Sequence, residues 1–159
     1  MDISIRQAAV SDAGAIAQLT AQLGYDATSD DVALRLGRLL AHADHHVFLA
    51  QVAGCAAGWL HVSVVESLET DRFVMIAGLV VDTDRRGQGV GTALLQRAED
   101  WAAALGYPLV RLWSTSSRTA AHRFYEHRGY SNIKTQYAFV KAIAPGAQAL
   151  RTLVPRVED

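Results

Sequence analysis

Polar and apolar residues along this chain fall into short blocks, each with the period of one element. Ile3-Ser4-Ile5-Arg6 alternates like a half-buried strand. Ser11-Asp12 opens a stretch from Ala13 to Leu23 in which Ile16, Leu19 and Leu23 share one side, as in a helix. Gly24-Tyr25-Asp26 breaks that pattern, and Ser29 or Asp30 is the expected cap of a second helix through Leu34, Leu36, Leu39 and Leu40. Alternation returns from His46 to Val52 and from Cys55 to Val65, and Ala53-Gly54 between them predicts a hairpin with antiparallel pairing. After the polar run Glu66 to Arg72, the apolar run Met75 to Val81 predicts a further strand. Leu94, Leu95, Ala98, Trp101, Ala102 and Leu105 then recur at helical spacing, with Gln96, Arg97, Glu99 and Asp100 on the wet face. Gly106, with Pro108 beyond it, stops that helix. Leu109 to Trp113 predicts a short strand, and Ser116, Ser117 or Thr119 the cap of a helix that ends at Gly129. Tyr130 to Ile133 and Thr135 to Lys141 read as a closing pair of strands.

That order implies an α/β (α+β) fold, with a mixed central sheet of six to seven strands flanked by about four helices. The chain has 159 residues, half of them apolar, enough for a sizeable core without staples. Residues 1–144 are expected to form a single domain and residues 145–159 a tail. A net charge of −1 gives no general attraction to nucleic acid or to an anionic membrane, so neither is an expected partner. Cys55 is alone, which excludes an internal disulfide and suits a reducing, cytoplasmic setting. No apolar stretch reaches about eighteen residues, and no basic-then-apolar leader opens the sequence. The run Ala41 to His46 holds three histidines, but without a nearby cysteine or acidic cluster it reads as a solvated helix end, and no metal is expected. The closing strands and the apolar run Leu150 to Val154 offer a surface for homodimer contacts.

The chemistry concentrates where the Met75–Val81 run stops at Asp82-Thr83-Asp84 and gives way to Arg85-Arg86-Gly87-Gln88-Gly89-Val90-Gly91. Glycines at a helix start let a ligand approach amide N–H groups where the helix dipole favours an anion, and the two arginines add positive charge. Such a site suits phosphate or pyrophosphate. A Walker A loop requires Lys then Ser or Thr after its last glycine, and Gly91 is followed by Thr92 with no lysine. A dinucleotide fingerprint requires G-x-G-x-x-G and an acidic residue after the next strand, and both are missing.

Arg86-x-x-Gly89-x-Gly91 after Leu79-Val80-Val81 resembles the pyrophosphate-binding motif of the GNAT superfamily of acetyl-CoA-dependent N-acetyltransferases. Ala120 to Tyr130, with Tyr125 four residues before Gly129-Tyr130, resembles that family's second signature. The resemblance extends over roughly residues 3 to 141. It implies acetyl-CoA (coenzyme A) as co-substrate and a sheet whose fourth and fifth strands splay to admit the pantetheine arm. It further implies that backbone groups of Leu79, Val80 and Val81 bind the pantetheine amides. Arg86 (or Arg85), Gly87, Gln88, Gly89, Val90, Gly91 and Thr92 then hold the pyrophosphate. Tyr125 stands where the family places its general acid, and a phenol of pKa about 10 keeps its proton beside a thiol near 8.5.

Two positions depart from the family pattern. Many relatives carry a glutamate base four residues before the position of Leu79, and here that residue is Met75. An alkyl amine of pKa about 10.4 is only about one part in a thousand neutral at pH 7.4, a handicap of roughly 4 kcal/mol that a base would offset. The substitutes are Glu66, Glu69, His61 or an ordered water. Arg118 stands seven residues before Tyr125, where many relatives have an asparagine at the cofactor arm.

The resemblance implies transfer of acetyl to a primary amine of a small molecule or peptide by direct attack in a ternary complex. Tyr25 and Asp26, in the loop that covers the acceptor in the family, are substrate-contact candidates. Met75 keeps open an alternative of another class, an acyl-CoA-binding regulatory or partner module with little or no turnover. An aminoglycoside-type enzyme differs in its acceptor, and the Glu66 to Asp71 loop is the acidic feature suited to one.

Overall fold

The computed structural model describes residues 2–144 of the chain. The tail, with the Leu150 to Val154 run, lies outside the described residues. Two compact units divide the chain, one running through Leu112 and the other starting at Trp113.

The first unit holds β1 (Ile3–Gln7), α1 (Ala13–Ala21), α2 (Ser29–Leu40), β2 (His45–Val52), β3 (Cys55–Val65), β4 (Phe73–Val81), α3 (Val90–Ala104) and β5 (Val110–Leu112). Its sheet has the order β1-β2-β3-β4-β5, antiparallel from β1 to β4 and parallel between β4 and β5. Successive residues of β2 face opposite sides of the sheet. Val47 and Leu49 join Ile16, Ala17, Val32 and Leu36 in the core under α1 and α2. Phe48, between them, lies on the other face, where the Arg97 guanidinium of α3 sits 4.9 Å from its ring centre. The hairpin between β2 and β3 turns on Ala53 and Gly54, at φ of 50° and 77°. Two consecutive positive φ values give the reversed twist that suits a two-residue hairpin.

The second helix starts one residue earlier than the expected caps. Thr28 is its N-cap: the Thr28 hydroxyl accepts from Asp31 N at 3.1 Å and Asp31 Oδ2 accepts from Thr28 N at 3.2 Å. A hydroxyl and a carboxylate three residues apart form this reciprocal box, which leaves Ser29 and Asp30 inside the first turn.

The second unit contains α4 (Thr119–His127). Arg118, not Ser116, Ser117 or Thr119, is its N-cap, and no side chain closes that end. Gly129 at φ 85° ends the helix, with Tyr130 N donating to the Tyr125 carbonyl at 3.1 Å. The expected closing strands do not form, so the sheet has five strands among the described residues instead of six to seven. A strand needs a neighbour for its N–H and C=O groups. Residues 131–144 have no ladder partner, and Ile133, Tyr137 and Phe139 are 72%, 90% and 94% exposed.

Candidate functional site

The parallel ladder between β4 and β5 is short. It joins Val74, Met75 and Ile76 to Val110, Arg111 and Leu112, and β5 ends there. From Ala77 to Val81 the β5-side edge of β4 has no strand of the first unit beside it. On the other side β4 stays paired with β3 to its end, where Val81 stands opposite Gly58. A register shift leaves Ala77 without a partner between Ile76 and Gly78. Such a bulge turns backbone groups away from the ladder. Within the first unit the β5-side edge of the Leu79-Val80-Val81 segment is thus unpaired, the kind of edge that an extended, amide-bearing chain completes as an added strand, while the Val80 carbonyl itself faces β3.

That edge leads directly into the glycine turn. Asp82 N donates to the Ala57 carbonyl at 2.9 Å, and Asp82 Oδ1 accepts from Asp84 N at 3.0 Å. Gln22, just past α1, accepts from Thr83 N at 2.9 Å and ties the turn to the first helix. Gln88 folds back, donating to the Asp84 carbonyl at 3.0 Å. Gly87 and Gly89 adopt φ of 73° and 88°, and Gly89 is the left-handed N-cap of α3. Val90 and Gly91, in the first helical turn, have no preceding turn of helix to accept from their N–H groups, and the positive end of the dipole lies there. Val90 is 1% exposed, so its side chain is core and only its backbone amide can serve a ligand. Gly91 and Thr92 are half-buried, and Arg86 is exposed.

Gly58 sets how close helix and sheet approach here. A Cβ on it would come 2.6 Å from the Val80 carbonyl oxygen and 3.1 Å from Leu94 Cδ1. On the α1–α2 face, the benzo edge of Trp59 occupies the place over Gly78 where a Cβ would meet it at 2.7 Å, and its buried Nε1 has no hydrogen-bond partner among the described residues. Gln22, Gly58 and Trp59 escaped sequence reasoning. A polar residue at a helix end and a glycine inside a strand carry no local sign of a contact made far along the chain.

Tyr125 belongs to the second unit. It is half-buried, with ring centres of Phe124 and Tyr130 at 5.3 Å and 6.0 Å. Burial pushes its phenol above the ordinary value while the Arg118 charge pulls the other way. The side chain therefore keeps its proton at neutral pH. Met75 is 3% exposed and offers only a thioether. Glu66 is engaged by Arg72 at 2.8 Å on the surface. Among the described residues no group of three or more His, Cys, Asp or Glu is placed to hold a metal, and no helix is long and apolar enough to cross a membrane.

A short parallel β4–β5 ladder followed by a glycine turn at a helix start places the Ala77–Val81 edge and the first amides of α3 in sequence. The profile of the Acetyltransferase (GNAT) family matches residues 15–130, and the chain belongs to that family. It is 31% identical over 149 residues to the aminoglycoside N(6')-acetyltransferase type 1 of Stenotrophomonas maltophilia, covering 91% of this chain and 96% of that one. It is 29% identical over 107 residues to an uncharacterized N-acetyltransferase of Methanocaldococcus jannaschii, covering 66% of this chain but only 47% of that longer protein. Among solved structures, AAC(6')-Iy in complex with the bisubstrate analog CoA-S-monomethyl-acetylneamine superposes with a TM-score of 0.78 over 89% of this chain and 99% of that one, at 18% identity.

Proposed function

We propose that this chain moves an acetyl group from acetyl-CoA to a primary amine of a small molecule or peptide, with residues 1–144 acting as one catalytic domain. The observation that carries the reading is the continuity, within one unit, of the open Ala77–Val81 edge with the amides of the Gly87–Thr92 turn. A long molecule with amides in its arm and a diphosphate at its end fits that sequence of groups. Acetyl-CoA supplies an acyl group activated as a thioester. The chain's own residues bind and orient it: backbone of Leu79, Val80 and Val81 takes the arm as an added strand. Amides of Gly87, Gln88, Gly89, Val90, Gly91 and Thr92, with Arg86, take the diphosphate. Tyr125, by its place in the second signature, holds at its phenol oxygen the proton needed by the departing thiolate.

The acceptor class to test first is the amino sugar, because the similarity to the Stenotrophomonas enzyme runs nearly end to end. Thiol release from acetyl-CoA, measured across amino sugars, simple alkyl amines and peptide termini with coenzyme A binding in parallel, tests the reading. Acceptor-dependent release is expected, and binding without release from any amine would replace it with a CoA-binding regulatory module. Gly89→Ala should weaken coenzyme A binding about tenfold in calorimetry. A Cβ there has room, with Ile3 Cδ1 nearest at 3.7 Å. The loss comes from forcing a left-handed φ on alanine, about 1–2 kcal/mol.

A further inference from the structure

With Met75 where many relatives of the resembled family carry a carboxylate, the proton of the acceptor ammonium has to go to another group. Register shows what shares the face of that residue. Met75 stands opposite Ser63, and opposed residues of an antiparallel pair point to the same side. His61, two residues from Ser63 on the unbroken β3, shares that side. It is thus a diagonal neighbour of Met75, on the order of 7–8 Å away. Its Cα partner on β4 is Gly78, beside the bulge where the open edge begins. Across the other strand pair Ser63 opposes His45, and His45 Nδ1 lies 3.0 Å from His61 Nε2. The two ring centres are 5.3 Å apart.

Burial, reinforced by the repulsion that a protonated His45 would exert, holds His61 down from 6.5 to about 4, so the ring is neutral at pH 7. The other titratable groups on packed elements are few. α1 carries none. α2 carries Asp30, Asp31, Arg35 and Arg38, Asp44 precedes β2, and the charge acting on His61 is that of His45. His42 stands edge-on to His45 at 6.1 Å.

We propose that His61 and His45 form a two-imidazole relay that takes the proton from the acceptor ammonium, an inference that rests on the acetyl-transfer reading. An N–H bond of the ammonium breaks as one forms at His61 Nδ1. The hydrogen on His61 Nε2 passes to His45 Nδ1, and the proton on His45 Nε2 leaves to water. One proton enters and one leaves, no electron changes hands, and both rings end neutral in the opposite tautomer. Passing the charge along explains how an imidazole that resists protonation can still serve an amine: the half-buried ring never has to hold a full charge.

The test is the pH dependence of kcat/KM for the parent, His61→Gln, His61→Asn and His45→Gln with an acceptor found by the amine panel. The parent should show a plateau between the histidine and amine pKa values. The His61 variants should lose about 10²-fold at pH 7, and their rate should rise tenfold per pH unit toward the amine pKa near 10.4. His45→Gln should lose less, about tenfold, since water can then take the proton from His61. Coenzyme A binding and cooperative melting, measured on each variant, show that the fold is intact. Melting temperature adds a second readout. The unfolded chain takes up a proton near 6.5 and the folded one near 4, so stability falls as pH drops through that window, and His61→Gln should flatten the fall. A His61 variant that binds coenzyme A and keeps the parental pH profile overturns the relay alone. A parent with no acceptor-dependent release removes the acetyl-transfer reading and the relay with it.

Discussion

Tyr125→Phe is expected to lower turnover by about 10²-fold while leaving coenzyme A affinity and melting temperature nearly unchanged. The ring provides packing and the oxygen provides the proton, so removing the oxygen separates the two. The ring is half-buried between Phe124 and Tyr130, and phenylalanine fills the same space. The Tyr125 carbonyl, which accepts from Tyr130 N at 3.1 Å, is unaffected by the change. What is lost is an acid whose burial keeps it protonated, against the pull of Arg118. Pre-steady-state measurement of thiolate release reads the effect directly. Unchanged turnover would remove Tyr125 from the reaction. Arg118→Ala should push the phenol further upward and leave it protonated at neutral pH.

The largest expected effect on stability is at Gly58. Alanine there places a carbon 2.6 Å from the Val80 carbonyl oxygen, which is strand backbone and cannot swing aside, with Leu94 and Val90 side chains at 3.1 Å and 3.3 Å behind it. Relief requires α3 to lift from the sheet or the β3–β4 ladder to shift. Overpacking of this kind costs about 3 kcal/mol, at the upper end of its usual range. For a chain of this length that is a fall of roughly 10 °C in melting temperature. Gly54→Ala is the control: nothing lies within 4 Å of its added carbon, and only its φ of 77° opposes the change. It should cost about 1–2 kcal/mol. Equal losses at the two positions would show that space at Gly58 is not the issue.

Most of the first unit was legible because its elements are written in local periodicity. The alternation of Cys55 to Val65 gives β3 with its ends as read, and the spacing of Leu94, Leu95, Ala98 and Ala102 gives the buried face of α3. Capping was less legible. Thr28 competes with Ser29 and Asp30 for one role, and only the Asp31 carboxylate three residues on decides it. The closing strands failed for a different reason. Tyr130 to Ile133 and Thr135 to Lys141 carry strand-forming residues, but residue type says nothing of whether a neighbouring strand is present to complete the ladder. The glycine turn and its helix start were readable from residue type, since Gly87 and Gly89 take backbone conformations that other residues resist. The His45–His61 hydrogen bond was not. It joins residues sixteen apart, and it depends on a register that only the folded hairpin fixes.

Where β5 gives out, fold and function come apart. Three pairs, Val74, Met75 and Ile76 with Val110, Arg111 and Leu112, make up the whole parallel ladder. Each added rung would cover another rung's width of β4, so a longer β5 would take up the edge that an incoming arm would use. How much of the β4 edge stays unpaired within the first unit is a matter of chain length at a single strand end.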